Sequence, residues 1–223
     1  MKANVGSLLA VASAACAVPS LDAPACSVGT GTVQYNKAMP DPVSFPKTQV
    51  DVCYDDTSIH LTFTALEEKD FYYNDTLSTN DPIWAYEVME AFIYHGTNDP
   101  QSYLEFEVSP NNVTFQAWIY NPSKVRATGA PWDTSYLTDP LTDGLTAETT
   151  LDRDANSWIS KATIPLGLFN VDVGEAKGTK WRMNFFRTVE SEETYPNQLL
   201  GAWSPTNASN FHMTPFFGNV NFV

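Results

Sequence analysis

The chain has 223 residues, 43% hydrophobic and 13% aromatic, with a formal net charge of −14. That length builds one domain with a sizeable core. Its acidity repels nucleic acid and anionic membranes, leaving neutral ligands and cations such as calcium as partners.

Residues 1–17, MKANVGSLLAVASAACA, join one Lys to an apolar stretch and an A-x-A site at Ala15-Cys16-Ala17. This is the form of a secretory signal removed after Ala17, leaving 18–223 as a single secreted, extracellular domain. The signal is too short and Ala-rich to anchor, and no other apolar run is long enough to span a membrane. Cys26 and Cys53 then remain, and in an oxidising compartment two cysteines predict one disulfide. It would tie the N-terminal segment to a strand around 50–54. Asn74, Asn112 and Asn207 open N-x-S/T sequons, which predict glycosylated surface loops.

Alternation dominates the rest. Ile59, Leu61, Phe63 and Ala65 share one parity, as do Leu104, Phe106 and Val108. Phe115, Ala117 and Ile119 repeat the pattern. So do Trp158, Ser160, Ala162 and Ile164, and then Trp181, Met183 and Phe185. Each is the period-two signature of a strand. Turn residues separate the runs at 55–56, 80–82, 96–100, 109–112, 152–156 and 174–178. Many short strands with little helix predict an all-β, antiparallel β-sandwich of jelly-roll or immunoglobulin-like type. Residues 122–146 lack periodicity, and long segments of this kind carry binding function.

Residues 80–95, NDPIWAYEVMEAFIYH, contain two misfits. Trp84 follows an Asp-Pro turn, and Glu90 interrupts an apolar strand. On a continuous strand, residues six apart share a face. A Trp and a carboxylate on one face suit a sugar, whose ring stacks on the indole while its hydroxyls bond the carboxylate. The alternative is a core Trp with a paired Glu. Glu105 and Glu107 read most simply as a solvated or hydrogen-bonded strand face. Paired with Glu90, they are also the carboxylates a glycoside hydrolase would need. No G-x-S-x-G or H-E-x-x-H motif occurs. Asp152, Asp154 and Asn156 begin like a calcium loop, but the twelfth position is Thr163, so a strand turn is expected. Met89 with His212 is the pair to test for haem, against the simpler reading of Met89 as core.

Seven pieces, in order, resemble the family 9 carbohydrate-binding modules within the DOMON-like β-sandwiches. They are Asp55-Asp56-Thr-Ser-Ile59-His-Leu61, Trp84-Ala-Tyr-Glu-Val-Met-Glu90-Ala-Phe92-Ile93, and Tyr103-Leu-Glu-Phe-Glu-Val-Ser-Pro-Asn-Asn112. Then come Trp158-Ile-Ser-Lys-Ala-Thr-Ile-Pro165 and Gly178-Thr-Lys-Trp-Arg-Met-Asn184-Phe-Phe-Arg187. Trp203-Ser-Pro205 and Phe211-His-Met-Thr-Pro-Phe-Phe-Gly218 complete the set. The resemblance implies a non-catalytic module that holds a glucose or xylose unit of a polysaccharide between two aromatic rings, in support of carbohydrate breakdown. Trp84 matches the first ring and Glu90 the hydroxyl-binding carboxylate. The second ring falls at Phe211 or, with a one-residue shift, His212. Trp203 matches a neighbouring motif, and Arg187 is expected to reach the same cleft. Glu87 stands where the family has Asp, Glu107 where some sugar-binding members have Arg, and Phe186 where an amide is expected. The resemblance also implies a possible structural calcium without nameable ligands, no other cofactor, an oligo- or polysaccharide partner, and a monomer. A wall or adhesion protein that has lost its sugar site is a further reading.

Overall fold

A computed structural model describes residues 17–223. Residues 1–16, and with them nearly all of the expected signal, lie outside it. Thirteen strands form among the described residues. They are β1 (Ser20–Ala23), β2 (Gly31–Lys37), β3 (Ser44–Tyr54), β4 (Ser58–Ala65), β5 (Val88–His95), β6 (Ser102–Val108) and β7 (Thr114–Tyr120). β8 (Asp133–Tyr136), β9 (Thr146–Asp152), β10 (Ser157–Pro165), β11 (Lys180–Val189), β12 (Leu199–Ala202) and β13 (Gly218–Phe222) follow.

They make the expected β-sandwich. The larger sheet has the order β1-β13-β11-β5-β6-β7-β8, with β12 also paired to β11. The smaller has the order β2-β3-β4-β10-β9. One pairing departs from the antiparallel expectation: β1 lies parallel to β13, with Ser20 opposite Asn219.

The apolar parities drive the two sheets together. Phe63 of β4 meets Phe106 of β6 and Phe185 of β11, with ring centroids 6.5 and 6.4 Å apart. Met89, Ala91 and Ile93 of β5 join this inter-sheet core. Removing such surface from water is the main term favouring the fold.

The larger sheet is also buried on its other face. Val88 and Phe92 of β5, Tyr103 of β6, Phe115, Ala117 and Ile119 of β7, and Phe186 of β11 form a second cluster there. The apolar parity of β7 therefore faces away from the smaller sheet. Side chains on connecting segments cover this face. Among them are Ile83 and Leu77 before β5, Trp132 before β8, and Phe211 and Phe217 before β13.

Cys26 and Cys53 are bonded, with Cα atoms 5.0 Å apart. The bridge ties the segment after β1 to β3, as expected. It closes a sequence separation of 27 residues. Replacing both cysteines by Ser is expected to lower stability by about 2–4 kcal/mol, read as a lower urea midpoint with an intact fold. Asn112 and Asn207 are exposed, as their sequons require. Asn74 is half-buried, and its Nδ2 donates to Tyr86 Oη at 3.0 Å.

Candidate functional site

A cavity of about 380 Å³ opens on the outer face of the larger sheet. Its floor is Glu90 of β5 with Glu105 and Glu107 of β6. Glu90 stands directly opposite Glu107 across the β5–β6 ladder. Alternation places all three on the face away from Leu104, Phe106 and Val108. They are nearly closed off from solvent, at 3%, 6% and 1% exposure. One oxygen from each lies within 4.8 Å of the others. Glu105 and Glu107 are thus not a solvated strand face, because the segments roofing this side of the sheet remove their water.

The walls come from those segments. Trp84 sits in a one-turn 3-10 helix, Ile83–Ala85, and is 43% exposed. It reaches the cleft from a turn and not from a continuous strand, so the parity argument does not place it. Its turn is pinned elsewhere. The backbone N–H groups of Asn80 and Gln116 donate to Thr114 O and Asn80 Oδ1, and Asn80 Nδ2 donates to Leu137 O. Gln198 Nε2 donates to Trp84 O at 2.7 Å. The indole meets Phe115 edge-on at 5.1 Å.

Phe211 lines the same cavity and stacks on Phe186, centroids 4.2 Å apart and planes 21° apart. Phe186, where the resemblance expects an amide, therefore supports the Phe211 ring. His212 follows, with Nδ1 2.7 Å from Tyr103 Oη and its ring stacked on Phe92. Two segments are laced together at this rim. Asn121 Nδ2 donates to His212 O, Asn210 Nδ2 to Val125 O, and the Thr214 N–H to Lys124 O. The lacing presents Trp132 and Arg126, whose guanidinium lies 4.3 Å over the indole. Residues 122–146 thus contribute to the cleft, though sequence alone did not single out Trp132, Arg126, Phe115 or Gln198.

Burial sets the electrostatics. It pushes the Glu90 carboxyl well above its usual range, with the Glu105 charge adding to the rise. Burial and then Glu90 and Glu105 do the same to Glu107. Glu105 is raised by burial to about 8, against a lowering from Glu107 and Arg126. His212 is pushed down by burial, then by Arg126, to about 3, so it stays neutral. Glu107 Oε2 is buried without a hydrogen-bond partner among the described residues. The floor therefore carries acceptor capacity that the protein itself leaves unmet.

Two expectations are corrected, and the haem pairing gives way to the simpler reading of Met89 as core. Arg187 does not reach the cleft. It shares parity with Met183 and Phe185, so it points between the sheets, where it is fully buried and bonds Glu68 at 2.7 Å. Trp203 is not in the cleft wall either. Its ring lies on Phe185, so close to Gly218 that a Cβ there would fall 2.3 Å from it. Met89 and His212 cannot share a haem iron, because Met89 packs between the sheets and His212 stacks on the opposite face. Glu87 also has a structural role. It is buried, its Oε2 accepting the Tyr72 N–H at 2.9 Å and its Oε1 the Glu190 N–H at 3.2 Å.

The chain is 50% identical over 221 residues to an extracellular protein of Arthroderma benhamiae, covering 97% of this chain and 98% of that one. It belongs to the family of that extracellular protein. No protein-family model matches it. The fold of this family member is shared with a Bacteroides uniformis protein assigned as carbohydrate-binding. That match has 16% identity and a TM-score of 0.63, over 93% of this chain and 98% of the other. It is also shared with a family 9 carbohydrate-binding module of Caldicellulosiruptor kristjanssonii solved with cellotriose. Here identity is 14% and the TM-score 0.58, over 91% and 93% of the chains. A family 9 module of the same organism with glucose reaches 0.51 at 16% identity, over 79% of this chain and 76% of the other. At these identities the likeness is one of fold.

Proposed function

We propose that this is a secreted, non-catalytic carbohydrate-binding protein whose outer-face cleft holds a sugar unit of a polysaccharide. One observation carries the reading: a cavity of about 380 Å³ joins aromatic walls, Trp84 and Phe211, to a floor of three carboxyls, where Glu107 Oε2 finds no partner among the described residues. Concave sites with apolar walls and few polar groups are the usual form for small ligands. The sandwich shared with carbohydrate-binding structures, and the extracellular relative, agree with it. Calorimetric titration of glucose, xylose, cellobiose and xylobiose tests it. Binding is expected, weakened about tenfold or more in Trp84→Ala. No heat from any sugar, in wild type and variant alike, would refute it.

The three glutamates make hydrolysis the rival reading. Glycosidases place carboxyl groups on both sides of the scissile bond. Here all three lie together on one floor and approach a ligand from one side. Incubation with xylan or β-glucan is expected to release no reducing ends. Release that disappears in Glu90→Gln would establish an enzyme instead.

A further inference from the structure

The floor is unusual for a site that binds only neutral hydroxyls. Three carboxyl groups lie close together, and the only guanidinium lining the cavity among the described residues, Arg126, is held against Trp132. Hydroxyl recognition needs donors as well as acceptors; burial keeps these three carboxyls protonated in the free protein, and once a cation draws off their protons they offer acceptors alone. A primary ammonium has the complementary form, with three N–H donors and one positive charge. Donating to three oxygens at charge-assisted distances, a tetrahedral ammonium sets them about 4.5 Å apart. The Glu90, Glu105 and Glu107 oxygens, within 4.8 Å of one another, are close enough together to share one ammonium. The unpartnered Oε2 of Glu107 lies in the same cluster.

The aromatic part of the wall favours an organic cation over a bare metal ion. Calcium takes six to eight oxygen ligands. Thr134, Tyr136, Gln198, Ser209 and Asn210 also line the cavity and carry oxygens, but Trp84, Phe115, Trp132 and Phe211 supply none. Aromatic faces do attract ammonium groups, and they stack on the ring that carries one.

We propose that the cleft selects a sugar bearing a free amine, a 2-amino-2-deoxyhexose or its oligomers. Its ammonium seats on Glu90, Glu105 and Glu107 while its ring lies against the aromatic walls. This rests on the carbohydrate-binding reading and names its substrate class. The ligand's own charge then takes the place of the protons that burial holds on the three acids.

The test is calorimetry on the full secreted chain near pH 6, where an amine is charged. Titrants are glucosamine and its β-1,4-linked dimer, with glucose, N-acetylglucosamine and calcium chloride as comparisons. Glucosamine is expected to bind about tenfold or more tightly than glucose or N-acetylglucosamine. Glu107→Gln and, separately, Glu90→Gln are expected to erase that preference, with melting curves confirming that both fold. Neutral sugars binding through Trp84 with no preference for the amine would overturn the inference and leave the carbohydrate reading standing. Silence towards every sugar would sink both. Calcium binding with glucosamine silent would make the floor a metal site and overturn the inference.

Discussion

Arg187→Ala is expected to destabilise the protein by about 3–5 kcal/mol, the loss usual when one partner of a buried ion pair is removed. For a chain of this size that is a fall in Tm of roughly 10 °C. Arg187 lies between the sheets with no exposed surface. Its guanidinium bonds Glu68 at 2.7 Å, Thr48 Oγ1 at 3.2 Å and Leu66 O at 3.2 Å. Glu68 Oε1 in turn accepts the backbone N–H groups of Lys69, Asp70 and Phe71. Removing the cation leaves that carboxylate buried and unpaired. Its pull is also what chiefly offsets burial and holds the Glu68 carboxyl below its ordinary range. Urea unfolding measures the loss. A variant as stable as wild type would show the pair to be dispensable. Sugar affinity of the folded fraction is expected to stay unchanged, because Arg187 and the cleft lie on opposite faces of one sheet.

Stability is expected to peak near about pH 5 and fall by on the order of several kcal/mol towards about pH 8.5. Glu87 and Glu105 are each raised to about 8, and Glu90 and Glu107 are raised as well. A group whose folded pKa exceeds its unfolded value holds a proton that the unfolded chain has lost. Its contribution is complete below about 4.5 and disappears as pH climbs through the folded pKa. His212, lowered to about 3, works in the opposite sense, adding stability above its unfolded value near about 6.5 and losing it on acidification. Asp55, lowered to about 2, acts likewise at lower pH. Between these limits four carboxyls outweigh one imidazole, so the net slope is downward. Thermal melts at constant ionic strength from pH 3 to 9 check this. A Tm that rises from pH 5 to 8 would contradict it. Glu105→Gln is expected to flatten the alkaline limb.

Much of the sandwich was legible because the inter-sheet faces of β4 and β6 are apolar at every second residue, and those of β10 and β11 are so except at Ser160 and Arg187. β9, TAETTLD, was not legible: it is an edge strand with a partly exposed, polar surface that lacks that signal. β1, β8 and β12 are too short to show a period, whereas the five residues of β13 alternate through Gly218, Val220 and Phe222. The cleft was half legible. Trp84, Glu90, Phe211 and His212 do line one cavity. Glu105 and Glu107 were visible as an outward parity, yet whether outward means solvent depends on roofing segments with no period of their own. For Arg187 the signal was present, since it continues the parity of Trp181, Met183 and Phe185. Trp84 misled in the other direction, because Pro82 and the short helix after it break the continuity on which parity depends.

The parallel pairing of β1 with β13 has a consequence for how the chain is made. Asp22 and Asn221, opposite each other in register, are joined through their side chains at 2.8 Å. A chain emerging from N- to C-terminus presents β1 first and its partner last. The Cys26–Cys53 bridge is local in sequence, and it holds β1 beside β3. The edge of the larger sheet must wait until nearly all of the chain has emerged. Such distant pairing is intrinsically slow to form, so the covalent tether keeps the first strand close to where its last partner arrives.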